Sequence, residues 1–184
     1  MLYARRTPLR TLSRRAASRW STSTRSFVTV GVPKETVEGE PRVALTPANV
    51  TKLAKKGATI KIESGAGIGS GFSDAAYEAS GAQIVSREEA FASQAVAKVR
   101  PPTTEEAAAI GDRLLIGPVS ALTNQALVDQ LASQGSTVIA LDSLLRTLSK
   151  GQAYDILSSQ ANLAGYRAVY EAAHFMQRPY GGSM

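Results

Sequence analysis

Short runs of β-branched and apolar residues alternate with helical stretches from residue 28 onward, and this alternation most constrains the fold. Strands at this spacing, each followed by a helix, predict an α/β domain whose mostly parallel sheet is covered by helices on both faces. The predicted strands are 27–32, 59–63, 82–85, 95–99, 113–117 and 136–142, and the helices between them lie near 47–56, 73–77, 87–93, 103–110 and 122–134.

A longer helical segment follows, from about Gln152 to Gln177. Its apolar residues suit either packing on the sheet or a bridge to a second domain. We therefore expect four regions: an amino-terminal arm (1–27), an α/β domain (28–149), a long bridging helix (150–178) and a tail (179–184).

The amino-terminal arm carries the chain's excess positive charge. Residues 1–27 contain seven Arg and no acid, which leaves 14 basic against 15 acidic residues in the remainder. An Arg-rich, Ser/Thr-rich and acid-free segment is typical of a mitochondrial transit peptide and predicts a matrix protein, peripheral to the inner membrane. A disordered basic tail, or an arm that docks on RNA or cardiolipin, are the alternatives. The near-neutral remainder argues against a nucleic-acid-binding domain.

Composition excludes several kinds of chemistry. The chain has no Cys and one His, so we expect no disulfide, no thiolate nucleophile and no metal site. It also lacks an apolar run of about 18 residues, so we expect no membrane-spanning segment.

The glycine-rich segment GAGIGSG, residues 65–71, resembles a dinucleotide-binding loop only in part. In the spacing of that motif, counted from Gly65, the third glycine falls on Ser70. A glycine-rich connection is the better interpretation, with Ser73 as the cap of the short helix that follows.

Two cations follow predicted strands at the same edge of the sheet. Arg42 lies in the loop after the first strand, and Lys98 ends the fourth. Because open α/β sheets bind ligands at this edge, the pair predicts a cleft for an anionic ligand. The alternatives are an ion pair of Arg42 with Glu38 or Glu40, and a solvated charge for Lys98.

Polar residues gather where the long helix begins. Asp155 and Ser158 are three residues apart and share a helix face, with Gln152 just before them. A carboxylate beside hydroxyl and amide groups suits the hydroxyls of a ribose. A polar helix start with caps is the alternative.

Four blocks together resemble the NAD(H)-binding component of proton-translocating NAD(P) transhydrogenase: GVPKETVEGEPRVALTP, IESGAGIGSGFSDAAYEASGAQIV, KVRPPTTEE and DILSSQANLAGYRAVYEAA. The first blocks are also similar to alanine dehydrogenase. That enzyme has a catalytic His after the strand corresponding to 113–117, where this chain has GPVSALTN. The last block is specific to the transhydrogenase.

The resemblance implies a flavodoxin-like or Rossmann-like half-domain and a set of ligands. Gln152, Asp155 and Ser158 match family residues around the nicotinamide end of bound NAD(H). The resemblance makes Arg146 the counterpart of a family arginine, with one residue inserted before Gln152.

The resemblance also bears on activity. The family chain continues into a Rossmann unit that binds the adenosine and pyrophosphate, so we expect this polypeptide to bind no cofactor and to catalyse nothing alone, with NAD(H) possible once a partner chain completes the site. Two functions follow. The first is an accessory subunit of an inner-membrane respiratory-chain or ATP-synthase assembly. The alternative is one chain of a split or truncated transhydrogenase.

Overall fold

The computed structural model describes residues 28–144 and 151–176. It contains a six-stranded sheet with five helices around it and a long sixth helix that follows the sheet. The strands are Thr29–Val32 (β1), Thr59–Glu63 (β2), Gln83–Val85 (β3), Ala95–Ala97 (β4), Leu114–Gly117 (β5) and Thr137–Ala140 (β6). The helices are Pro47–Ala54 (α1), Asp74–Ala79 (α2), Arg87–Phe91 (α3), Thr104–Ile110 (α4), Gln125–Ser133 (α5) and Ile156–Met176 (α6).

All neighbouring strands are parallel, in the order β3-β2-β1-β4-β5-β6. The chain builds outward from β1 to β3, crosses back through α3, and builds outward again from β4 to β6. This is the Rossmann order, and it places a topological switch point between β1 and β4. The predicted α/β class and parallel sheet are confirmed.

Two apolar cores lie on opposite faces of the sheet. Val32, Ile60 and Ile62 pack with Val50 of α1 and Tyr77 of α2. On the other face, Val96 and Leu115 pack with side chains of α3, α4 and α5, namely Phe91, Ala107, Ile110, Leu127 and Leu131. Side chains alternate between faces along a strand, and β4 supplies both cores, with Ala97 in the first and Val96 in the second. Together the two cores fix the sheet edge that carries the polar groups described below.

Several elements are shorter than the sequence predicts. The strand expected over 136–142 ends at Ala140, and a 3-10 turn, Leu141–Ser143, follows. The reason is Asp142, whose carboxylate accepts the backbone amides of Val119 at 3.3 Å and Ser120 at 2.7 Å and so holds this segment against the loop after β5. The long helix likewise begins at Ile156, after a separate 3-10 turn, Gly151–Tyr154.

Within the described residues no helix is both long enough and apolar enough to cross a membrane. The long helix α6 has 21 residues, and none of them is buried. An Ala-rich helix with an exposed apolar surface, whose Arg167 and Glu171 pair with each other, is typical of a helix that is covered in an assembly.

Candidate functional site

A cleft of about 390 Å³ opens at the carboxyl edge of the sheet, at the switch point between β1 and β4. Arg42 and Lys98 both line it, and Ile156 and Gln160 of α6 form its far wall. The two cations that the sequence assigns to one edge therefore lie in one cleft. The two side chains differ in exposure and in their ion-pair partners.

Arg42 is bound by the carboxylate of Glu40 in a two-pronged contact. Its Nε and Nη2 donate to Glu40 Oε1 and Oε2, each at 2.6 Å. A second arginine reaches the same carboxylate, since Arg100 Nε lies 2.6 Å from Glu40 Oε2. The predicted ion-pair alternative for Arg42 is therefore present, with Glu40 as its partner.

The two arginines stabilise the ionised form of Glu40. Its hydrogen bond with Arg42 is the largest effect and the contact with Arg100 adds to it, so together they outweigh burial and lower the pKa of Glu40 to about 2. The Glu40 side chain is only 2% exposed, whereas the arginines are 40% and 49% exposed. A buried carboxylate thus anchors two partly exposed arginines, of which Arg42 lines the cleft.

Lys98 is buried, and the solvated strand-end charge that the sequence suggests as its alternative is wrong. The lysine side chain is 1% exposed, with Nζ 3.1 Å from Glu35 Oε2 and 3.0 Å from Glu106 Oε2. Glu35 also accepts the backbone amide of Val99 at 2.6 Å. Lys98 therefore ties the loop after β1 to β4 and α4, and its charge is neutralised inside the protein.

Glu106 links the buried Lys98 to a third arginine, Arg87. Burial raises the pKa of Glu106, but hydrogen bonds from the Thr103 backbone and from Lys98 outweigh burial, so the pKa lies below the ordinary value. Arg87 Nη2 reaches Glu106 Oε1 at 2.6 Å, and Arg87 Nη1 reaches Glu63 at 3.1 Å. These ion pairs form a continuous network along the carboxyl edge of the sheet, from Glu63 at the end of β2 to Glu106 in α4.

The glycine-rich segment supports the Arg42 loop. Ser70 Oγ donates to the carbonyl of Pro41 at 2.7 Å. A Cβ on Gly69 would lie 2.9 Å from the Pro41 carbonyl oxygen, so only glycine allows this approach. The Ser73 side chain accepts the Ala76 amide, which confirms the predicted cap. The segment is a packed connection that holds Glu40 and Arg42 in place.

The polar residues at the start of α6 cap the amino terminus of this helix. Asp155 immediately precedes the helix, and its Oδ1 accepts the backbone amides of Leu157 at 2.9 Å and Ser158 at 3.1 Å. The Ser158 hydroxyl donates to Asp155 Oδ2 at 2.6 Å. Asp155 is therefore the N-cap of α6, as the capping alternative predicts.

The same residues line a second cavity. Gln152, Asp155, Ser158 and Ser159 surround an open depression of about 480 Å³. Along a helix, Ser158 and Gln160 point about 160° apart, and this depression and the sheet-edge cleft share no lining residue. The structure thus brings Gln152, Asp155 and Ser158 together but keeps them apart from Arg42 and Lys98. Arg146 lies outside the described residues.

The local sequence gives no signal for several contacts of the site. The contacts of Arg100 with Glu40 and of Gln160 with Arg42 join segments far apart in the chain. Glu106 has a local signal: Thr103 and Glu106 form a capping box at the start of α4, a pattern readable from their spacing. No group of His, Asp and Glu within the described residues is arranged to hold a metal ion.

The strand order, the charged cleft at the switch point and the projecting capped helix define an α/β domain of Rossmann type. The sequence profile of the family "Alanine dehydrogenase/PNT, N-terminal domain" matches residues 31–164. The chain belongs to this family.

The similar proteins include both transhydrogenase subunits and alanine dehydrogenases. NAD(P) transhydrogenase subunit alpha of Cereibacter sphaeroides is 40% identical over 158 residues, or 84% of this chain and 30% of that protein. Alanine dehydrogenase of Bacillus subtilis is 36% identical over 155 residues, or 83% and 40%. The crystal structure of transhydrogenase from Sinorhizobium meliloti superimposes with a TM-score of 0.75 at 35% identity, covering 79% of this chain and 44% of that one. The chain thus spans less than half the length of these relatives.

Proposed function

We propose that this domain forms the nicotinamide side of an NAD(H) site in a transhydrogenase-type assembly, and that a dinucleotide-binding unit in the same assembly completes the site. The cofactor itself supplies the hydride chemistry. The domain supplies position and polarity through Gln152, Asp155 and Ser158.

The Asp155–Ser158 pair carries this proposal. The Ser158 hydroxyl donates to Asp155 at 2.6 Å, so its oxygen is oriented to accept a hydrogen bond from a ligand. A ribose hydroxyl or a carboxamide NH₂ group can donate to it. Gln152, on the same depression, offers both a donor and an acceptor. These groups suit the polar parts of a nicotinamide riboside.

An accessory subunit of a respiratory-chain or ATP-synthase assembly is the other function that the sequence suggests. The exposed apolar side chains of α6, such as Tyr166 and Tyr170, are compatible with it. They are equally compatible with a dinucleotide-binding unit packed on the helix. Similarity to transhydrogenase subunits across four-fifths of the chain supports the transhydrogenase function, so we make it the main proposal.

We also propose that the protein acts in the mitochondrial matrix, at the inner membrane. Seven Arg and no acid in residues 1–27 support this location. An import assay with isolated mitochondria tests it. Protease-protected uptake that requires residues 1–27 is expected, and uptake that is unchanged without them would contradict the proposal.

Native purification tests the main proposal. The protein is isolated from its cells in mild detergent, the co-purifying chains are identified by mass spectrometry, and NADH is titrated into the assembly. We expect a dinucleotide-binding unit and saturable NADH binding. An assembly of only respiratory-chain or ATP-synthase subunits that binds no NADH through this domain would support the accessory function instead.

A further inference from the structure

Packing alone does little to hold the long helix α6 in place. None of its 21 residues is buried, and Tyr166 and Tyr170 are 64% and 72% exposed. An element with few buried apolar contacts opens or shifts at low energetic cost. The direction in which α6 leaves the sheet edge therefore depends strongly on individual polar contacts.

One such contact joins α6 to the Arg42 loop. Arg42 Nη1 donates to Gln160 Oε1 at 2.9 Å, while Nε and Nη2 of the same guanidinium hold Glu40. A guanidinium is planar and rigid, so the two-pronged contact with Glu40 fixes the direction in which Nη1 points. The position of Gln160 is in this way set by Glu40.

Glu40 is itself firmly held. Its side chain is only 2% exposed and is bound by Arg100 as well, and the neighbouring Pro41 is packed against Ser70 and Gly69. The contact is therefore anchored in the sheet edge at one end and in α6 at the other. Gln160 lies only two residues after Ser158, so any movement of Gln160 displaces the polar start of the helix.

We propose that Arg42 is a positioning residue: through Gln160 it fixes α6, and thereby the Asp155–Ser158 pair, relative to the sheet edge. The part of this inference that concerns NADH rests on the function proposed above. The part that concerns the helix does not. Arg42 thus acts on the cofactor site indirectly, through the contact of its Nη1 with Gln160.

The chain offers matched variants. Arg42→Lys keeps the positive charge but loses the planar guanidinium that binds Glu40 and Gln160 at once. Gln160→Met keeps the approximate shape of the side chain but loses the hydrogen-bond acceptor. Gln160→Glu keeps an acceptor. Arg100→Lys is the control, because Arg100 Nε binds the same Glu40 carboxylate rather than a residue of α6.

The helix can be followed directly, because the chain contains no Cys. Cysteines are introduced at the exposed positions Ala108 on α4 and Ala172 on α6 of the full chain and spin-labelled, and the distance distribution is measured by double electron–electron resonance without nucleotide. We expect Arg42→Lys and Gln160→Met each to broaden or shift the distribution, the double variant to add nothing further, and Gln160→Glu and Arg100→Lys to leave it unchanged. An unchanged distribution in Arg42→Lys overturns the proposal.

A second measurement separates this inference from the proposed function. In the native assembly we expect Arg42→Lys to weaken NADH binding about tenfold, the effect of one lost hydrogen bond to a charged group. A displaced helix with unchanged NADH affinity would overturn the positioning role. If the unaltered assembly binds no NADH, the proposed function fails, and the distance measurement alone decides whether Arg42 fixes the helix.

Discussion

The Asp155 carboxylate contacts Ser158 twice, accepting the backbone amide at 3.1 Å and the hydroxyl at 2.6 Å. A single residue thus both begins the long helix and orients a hydroxyl toward the open depression. The capping and ligand-binding interpretations of Asp155 are therefore compatible. Suitable substitutions separate the two roles.

Asp155→Ala and Asp155→Asn are expected to differ in stability. Asn is as good an N-cap as Asp, whereas Ala forfeits the cap at a cost of about 1 kcal/mol. Urea unfolding followed by helical circular dichroism measures this difference. Equal destabilisation by the two variants would show that Asp155 does not act through its cap.

Removing the charge of Lys98 is expected to destabilise the domain strongly. Lys98→Met leaves Glu35 and Glu106 buried without their shared cation, and breaking a buried ion pair costs about 3–5 kcal/mol. Adding Glu35→Gln should recover part of the loss. Lys52→Met, on the exposed side of α1, is the control and should stay within about 0.5 kcal/mol of the unaltered chain. A similar loss of unfolding free energy in Lys98→Met and Lys52→Met would show that the buried ion pairs of Lys98 do not stabilise the domain.

Glu40 should make the unfolding free energy depend on pH in the acidic range. Its pKa is lowered from 4.5 to about 2 in the folded protein, so its contribution is present above the unfolded pKa and is lost as the pH falls from about 4.5 through about 2. Glu40→Gln should therefore flatten the pH dependence of the unfolding free energy in this range. Glu38→Gln, an exposed neighbour, should keep the slope of the unaltered chain. If the two variants have the same slope, Glu40 is not held by the arginines in solution.

Two glycine substitutions should have opposite effects. Gly69→Ala places a Cβ about 3 Å from the backbone of Pro41, and such overpacking costs about 1–3 kcal/mol. Gly165→Ala adds a methyl group in open space on α6 and should stabilise the helix by up to about 1 kcal/mol. Thermal unfolding of both variants gives the comparison. Destabilisation by Gly165→Ala would show that α6 is packed at that position.

The sequence predicts the sheet well because each strand is a short β-branched run between helix signals. The run TIKIE, for example, coincides with β2. Strand ends are less accurate where a distant group intervenes, as Asp142 does at the end of β6. Local spacing can suggest that Arg42 pairs with Glu40, two residues away.

Contacts between distant segments cannot be predicted from the local sequence. Nothing in the sequence near Lys98 shows that Glu35 and Glu106 will surround it, because these residues meet only when β1, β4 and α4 come together at one edge. The same holds for Gln160, whose partner is 118 residues away in the chain. Residue types at the edge are thus predictable, whereas their burial and pairing depend on the folded sheet.

Calorimetric titration of NADH into the native assembly carrying Asp155→Asn tests the central claim most directly. Asn retains the cap of α6 but removes the charge beside Ser158, so we expect NADH to bind about tenfold more weakly while the stability of the domain is retained. Asp129→Asn, an exposed aspartate on α5, should bind NADH as the unaltered assembly does. NADH binding of unchanged affinity in Asp155→Asn would contradict the claim that this domain forms the nicotinamide side of the site.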